Sequence, residues 1–201
     1  GITSNFLSSP APVVTGTVAG DVDGDGLDDV LFVDSNFVRI FQPGIPNIGR
    51  AYLVTAPKSL APVNISLSSG ASLLVQDFAL GGKPQALGDL NGDGYDDFAI
   101  SRTQEGRASV AADPNREGGL FVFYGQASFG APGTTRTPAD ADIVLRRDTS
   151  ERIPEGFVYQ GILNATAGDF NADGKQDLLV AEPRRALLPT GATAAFTPDE
   201  R

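Results

Sequence analysis

The sequence predicts an all-β fold made of repeated units. A nine-residue acidic loop occurs three times, at residues 21–29, 89–97 and 169–177, and each copy runs directly into a short apolar stretch. The apolar stretches are rich in valine, isoleucine, leucine and phenylalanine, and 24 glycines and 14 prolines separate them, which is typical of short strands joined by turns. Copies of one motif at long spacing indicate a repeat fold in which each unit is a small sheet.

The first unit is predicted to span residues 13–68. The stretch VVTGTVAGD leads into the first loop and DVLFV leaves it, so the loop joins two strands. A polar turn at residues 34–36 then predicts a hairpin with FVRIFQPG. The stretch VNISLSS, near residues 64–68, is predicted as the fourth strand.

The same order recurs in a second unit, predicted at 83–147, where PQALGD and DFAIS flank the loop and GGLFVFYGQ and ADIVLRR supply the third and fourth strands. A polar insertion at 101–119 separates its second and third strands and is predicted to be an exposed, mobile loop. The third unit is predicted to be partial, at 160–183, with strands in ILNATAGD and DLLVAEP. Residues 184–201 are predicted to be an irregular tail.

The loops share the pattern D-x-[DN]-x-D-G-x-x-D, which is suited to a calcium ion. Calcium takes six to eight oxygen ligands at about 2.3–2.6 Å, and side-chain oxygens stand at positions one, three, five and nine of each loop. Glycine at position six permits a sharp bend, and position seven, where the residue type varies freely, is interpreted as a backbone-carbonyl ligand. The predicted ligands are Asp21, Asp23, Asp25, Leu27 and Asp29 in loop one, Asp89, Asn91, Asp93, Tyr95 and Asp97 in loop two, and Asp169, Asn171, Asp173, Lys175 and Asp177 in loop three.

The third loop is predicted to be the weakest of up to three structural calcium sites. Ala172 replaces the glycine found at position four of the other loops, and Gln176 replaces an aspartate at position eight. The position-eight aspartates, Asp28 and Asp96, are predicted not to be ligands but to face solvent or support a neighbouring turn. Neither these residues nor the aspartate pairs they form with position nine are predicted to be catalytic.

The residues after each loop exclude a helical calcium hand. Such a hand needs a bidentate glutamate at position twelve and flanking helices. Position twelve is Phe32, Ile100 and Val180 in the three loops, and the flanking segments are β-rich. A solvated turn would explain one copy of the loop but not three in register.

Composition narrows the possible functions. The chain has no histidine and no cysteine, which excludes Ser-His-Asp and Cys-His catalysis, disulfides and cysteine-based zinc sites; we predict that it is not an enzyme. A formal charge of −10 argues against nucleic acid or an anionic membrane as a partner, and no apolar run is long enough to insert into a membrane. The absence of methionine is expected of a piece of a longer precursor.

The stretch GDLNGDGYDDFAIS, with GGLFVFYG downstream, closely resembles the FG-GAP repeat of integrin α-subunit β-propellers and their bacterial secreted relatives. GDVDGDGLDDVLFV and GDFNADGKQDLLVAEP resemble it less fully. The resemblance implies four-stranded antiparallel propeller blades in which a calcium loop joins the first two strands. Because about three units cannot close a seven-bladed ring, the chain is expected to be an incomplete ring, a fragment of a larger propeller or an open array.

The expected function is a calcium-stabilised segment of a secreted or cell-surface protein that mediates adhesion or binds protein or glycan. Calcium sites of extracellular affinity would be empty at cytosolic calcium levels, so an extracellular location follows. A non-catalytic accessory module of a large extracellular enzyme and a structural spacer in a repetitive exoprotein stay open as alternatives. Further blades of the same precursor, or other copies of the chain, are expected partners.

Overall fold

The described part of the chain contains thirteen β-strands and two short 3₁₀ helices, at Ala127–Gly130 and Pro138–Asp140. The computed structural model describes residues 13–35, 48–57, 70–78, 80, 82–102, 119–131, 133–146, 157–159, 164–181 and 184–186. In chain order the strands are β1 (Val13–Gly20), β2 (Asp29–Ser35), β3 (Ile48–Val54), β4 (Leu73–Phe78), β5 (Gln85–Gly88), β6 (Asp97–Arg102), β7 (Gly119–Phe123), β8 (Thr134–Arg136), β9 (Ile143–Arg146), β10 (Phe157–Tyr159), β11 (Asn164–Gly168), β12 (Asp177–Ala181) and β13 (Arg184–Ala186). The predicted all-β fold class is confirmed.

The first sheet has the strand order β1-β2-β3-β4-β8. Its first four strands pair antiparallel, as expected of a blade, and β8 adds to the outer edge in parallel with β4. The first two strands lie where the sequence predicts them, joined by loop one. Strand β8 comes from the second unit, between its third and fourth blade strands, so it ties the two units together.

The third and fourth strands of the first sheet differ from the sequence prediction. The segments predicted for them, 37–44 and 64–68, lie outside the described residues. Strand β2 pairs instead with β3, and β4 follows as the fourth strand, so this sheet continues past residue 68. Strand β3 buries Ala51 and Leu53 in the main core. Several β-type runs of similar length compete in this region, and local pattern cannot rank them.

The second sheet, β5-β6-β7-β9, is fully antiparallel. Its four strands lie in the segments predicted for the second unit. Every residue of β6 and β7 is buried, which makes this sheet the middle layer. The predicted insertion is corrected at both ends, because Ser101 and Arg102 belong to β6 and Gly119 belongs to β7, and all three residues are buried. Residues 103–118 lie outside the described residues.

The third unit contains the predicted hairpin of β11 and β12. Two further strands were not predicted from the sequence: β10, just before the predicted start of the unit at residue 160, pairs antiparallel with β13, at the start of the expected irregular tail. Three residues are too few for a periodic pattern to be visible, so the pairing between them defines both strands. The rest of the tail, from residue 187, lies outside the described residues.

Three units pack side by side through the two faces of the second sheet. On one face Phe98, Phe121 and Phe123 are buried in the main core with residues of the first sheet, and the Phe98 and Phe123 rings stack with centroids 5.5 Å apart. On the other face Leu120 and Val122 pack with residues of the β11–β12 hairpin. Strand β5 contacts both β1 and β11, so the first strands of the three units are neighbours.

The outer layers carry exposed apolar side chains. Val18 on β1 is 55% exposed, and Leu179 on β12 is 58% exposed. Among the described residues, no helix is long and apolar enough to cross a membrane.

Candidate metal centre

Each acidic loop joins the first two strands of its unit. Loop one runs from β1 into β2, loop two from β5 into β6, and loop three from β11 into β12. Because β5 contacts both β1 and β11, the three loops begin on neighbouring strands. The placement agrees with the prediction that each loop closes the first hairpin of a unit.

The position-one aspartate folds each loop around its own carboxylate. Asp21 accepts hydrogen bonds from the backbone N–H of Asp25, at 2.9 Å to Oδ1, and from that of Gly26, at 2.9 Å to Oδ2. The equivalent bonds in the other loops join Asp89 to the N–H groups of Asp93 and Gly94, and Asp169 to those of Asp173 and Gly174.

Positions three and five continue the same pattern. Asp23 Oδ1 accepts from the Asp25 N–H at 3.1 Å, and Asp25 Oδ1 accepts from the Leu27 N–H at 3.0 Å. Alternate side chains therefore turn toward the inside of the loop, as the spacing predicts. In loop two, the Asp93 N–H donates to the Asn91 side chain and the Tyr95 N–H to that of Asp93. In loop three, the Asp173 N–H donates to the Asn171 side chain and the Lys175 N–H to that of Asp173. The carbonyl oxygens of Leu27, Tyr95 and Lys175 stay predicted ligands.

Two positions of each loop have left-handed backbone. The position-six glycines have φ values of 87°, 92° and 85° in loops one to three, which is the bend that their type predicts. Position four is also left-handed, with glycine in loops one and two but Ala172, at φ 61°, in loop three. An alanine in this region costs about 1 kcal/mol or more, which supports ranking loop three as the weakest.

In loops one and two, the position-nine aspartate joins its loop to a segment outside the loop. Asp29 is fully buried; its Oδ2 accepts from the Val22 N–H at 3.0 Å and its Oδ1 from the Ala56 N–H at 2.8 Å. Asp97, also fully buried, accepts in the same way from the N–H groups of Leu90 and Gly125, at 2.9 and 2.8 Å. Both side chains therefore have a structural role that the loop pattern alone does not predict.

Loop one brings three carboxylates close enough to share one ion. One oxygen each of Asp21, Asp23 and Asp29 lies within 4.8 Å of the other two. Carboxylate oxygens are hard ligands, which favour calcium or magnesium over softer metals. This donor set fits the predicted cation. Among the described residues, loops two and three form no group of three carboxylates this close, and Asp25 is not part of the group in loop one. Loops two and three share the backbone hydrogen bonds of loop one.

Burial raises the pKa of both position-nine carboxyls. Desolvation is the largest cause and raises the pKa of each group. Backbone hydrogen bonds to the carboxylate lower the pKa, and repulsion from other aspartates of the same loop raises it. The net result is a pKa of about 6 for Asp29 and about 6 for Asp97. A divalent cation would oppose this rise by stabilising the ionised form.

The raised pKa values predict how the cation-free protein responds to pH. A carboxyl whose folded pKa is raised holds its proton to higher pH in the folded than in the unfolded state, so its contribution to stability is complete below about pH 4 and is lost as pH rises to about 6. In EDTA, we expect the free energy of unfolding to be larger at pH 5 than at pH 7 by roughly 1 kcal/mol for each of Asp29 and Asp97. Urea unfolding at the two pH values measures this difference. The double variant D29N/D97N is the control, and an unchanged difference in that variant would contradict the assignment.

Position eight has different surroundings in the first two loops. Asp28 is exposed, whereas Asp96 contacts loop one, where its Oδ2 accepts from the Asp21 N–H at 2.8 Å. The neighbouring Tyr95 ring lies against Gly24, since a Cβ there would be 2.5 Å from Tyr95 Cε1. The sequence allows Asp96 to support a neighbouring turn, but nothing in it identifies loop one as that turn.

Two segments of the chain match a known repeat family. The profile of the FG-GAP repeat matches residues 86–123 and 164–195, which include all of loops two and three. Loop one lies outside the matched ranges.

Curated relatives of the chain are integrin α subunits. Mouse (Mus musculus) integrin alpha-E is 25% identical over 186 residues, covering 89% of this chain. Human integrin alpha-11 is 27% identical over 168 residues, or 84% of the chain, and human integrin alpha-8 is 32% identical over 137 residues, or 66%. The chain spans only 12% to 15% of the length of these relatives.

Proposed function

Because the chain contains FG-GAP repeats similar to those of integrin α subunits, we propose that it is a calcium-stabilised propeller-type segment of an extracellular or cell-surface protein. One observation carries the proposal. All three loops have the same hydrogen-bonded shape, in which the side chains at positions one, three and five accept backbone N–H groups of their own loop. In this proposal the same side chains supply oxygen ligands to one ion per loop.

Calcium is the ion that this set of ligands suits best. The ligands in each loop would be the side-chain oxygens of positions one, three, five and nine and the carbonyl of position seven. Magnesium demands near-ideal octahedral geometry and keeps several waters, whereas a nine-residue loop with many inward oxygens suits the larger ion. Twelve of the 25 acidic residues lie in the loops, so cations there would also relieve repulsion among them.

The role of the ions in this proposal is structural. The chain has no histidine or cysteine, and the loop aspartates hold the backbone of their own loops, so this proposal gives the segment no catalytic role. Sites of about 10⁻⁴–10⁻³ M affinity are filled only at extracellular calcium levels. The segment would act in adhesion by presenting surface loops to a protein or glycan.

Exposed apolar surface at both ends supports further blades as neighbours. Val14 and Val18 on β1, at one end, and Leu179 on β12, at the other, are exposed. A sheet face of this kind is normally covered in a propeller or array. Blades of the same precursor, or other copies of the chain, would cover it.

We expect the chain to bind three calcium ions, and equilibrium dialysis with radioactive calcium at neutral pH measures the number. Each of the variants D25A, D93A and D173A removes the position-five ligand of one loop, so each should reduce the number by one. D28A, which removes an exposed aspartate of the same loop as Asp25, is the matched control and should retain three. A stoichiometry that all four variants leave unchanged would show that the ions bind elsewhere.

A further inference from the structure

Asp96 of loop two makes two hydrogen bonds to the backbone of Asp21, the first residue of loop one. Its Oδ2 accepts the Asp21 N–H at 2.8 Å, and its own N–H donates to the Asp21 carbonyl oxygen at 3.0 Å. The two residues lie 75 positions apart in the chain. This pair of bonds fixes the backbone at Asp21, whose carboxylate organises loop one.

The two loops fit closely around this pair. A Cβ on Gly20 would lie 2.0 Å from Asp96 Oδ2, so the glycine before loop one makes room for the carboxylate. The Tyr95 ring covers Gly24, and the Gln126 N–H donates to the Val22 carbonyl at 2.9 Å. Loop one therefore contacts both loop two and the segment that follows β7.

The position of Asp96 in its own loop links it to the second ion site. It stands between Tyr95, whose carbonyl is a predicted ligand of site two, and Asp97, the position-nine ligand. An ion in site two would hold the residues on both sides of Asp96 and so hold Asp96 against Asp21. Asp28 and Gln176, its counterparts in loops one and three, are exposed.

We propose that Asp96 is a positioning residue of the first calcium site and couples that site to the second. The proposal rests on calcium binding by both loops, as proposed above. An ion in site two favours the shape of loop one that binds calcium, and by linkage an ion in site one favours site two to the same extent. Asp96 acts through Asp21 and is not itself a ligand.

Calcium titration followed by amide NMR tests the coupling in the intact chain. The Gly26 and Gly94 amides bond to the position-one carboxylates of sites one and two, so their signals report each site separately. D96A should weaken site one about 10-fold, the range seen when the support of a metal ligand is removed, and D28A should leave it unchanged. D96N keeps an acceptor oxygen for the Asp21 N–H and should restore most of the affinity.

A double-mutant cycle separates coupling from a merely local effect. With Asp96 present, D93A, which disables site two, should weaken site one about 5-fold or more. With D96A present, D93A should have no further effect on site one. Equal effects of D93A in the two backgrounds would overturn the coupling.

Hydrogen exchange without calcium distinguishes failure of this inference from failure of the proposed function. In EDTA, the Asp21 amide should exchange faster in D96A than in wild type, because it loses its acceptor, while the Gly94 amide should be unaffected. Faster exchange at Asp21 with no calcium binding anywhere would reject the calcium function but keep the contact. Unchanged exchange at Asp21, or an unchanged site-one affinity in D96A, would reject the role of Asp96.

Discussion

Removing calcium is expected to lower the free energy of unfolding of the chain by about 3–6 kcal/mol. An ion bound only by the folded state stabilises it by RT ln(1 + [Ca]/Kd), which for affinities of about 10⁻⁴–10⁻³ M and a few millimolar calcium is about 1–2 kcal/mol per site. Three sites together equal a large part of the ~5–15 kcal/mol typical of a domain. Thermal unfolding in EDTA and in about 5 mM calcium chloride, a concentration in that range, measures the effect.

The triple variant D25A/D93A/D173A is the control for this experiment. It lacks the position-five ligand of every loop, so its melting temperature should be the same in EDTA and in calcium. Magnesium at equal concentration should restore less stability to the wild-type chain, because it binds such loops with poorer geometry. A wild-type melting curve that EDTA does not change would contradict a structural role for calcium.

Where the sequence predicted strands well, local signals agreed with one another. In the second unit the loop, the apolar runs and the turn residues all favour the same four strands, and β5, β6, β7 and β9 lie there. In the first unit several apolar runs of similar length compete for two places in the sheet. Strand β13 was missed because three residues carry no periodic signal, and its pairing with β10 depends on distant parts of the chain.

In the candidate site, too, features set by neighbouring residues were predicted and contacts between distant segments were not. The loop pattern predicts the inward side chains of positions one, three and five and the bend at position six, because those features depend on neighbours within nine residues. Contacts of Asp96 with Asp21 and of Asp97 with Gly125 join segments that only the folded sheets bring together. Sequence reasoning therefore predicted the shape of each loop but not how the loops are attached to the core and to each other.

Replacing Asp97 by alanine is expected to destabilise the calcium-loaded chain by about 2–5 kcal/mol at pH 7. The change leaves the N–H groups of Leu90 and Gly125 without their acceptor, and an unpaired buried group costs about 1–3 kcal/mol. In EDTA the loss should be smaller, because the variant also removes a buried carboxyl whose ionised form is disfavoured, as its pKa of about 6 shows. D97N keeps one acceptor oxygen and should lose less than D97A.

Asp177 offers a matched control for this variant in the third loop. It holds the same position nine but is only half-buried, and it accepts from the Phe170 N–H at an exposed site, at 3.1 Å. Because solvent can replace that bond, D177A should cost less than about 1 kcal/mol in EDTA. Urea unfolding of both variants, with and without calcium, measures these costs. If D97A and D177A destabilise the chain equally in EDTA, the burial of Asp97 does not anchor loop two, and the position-nine aspartates act through the ion alone.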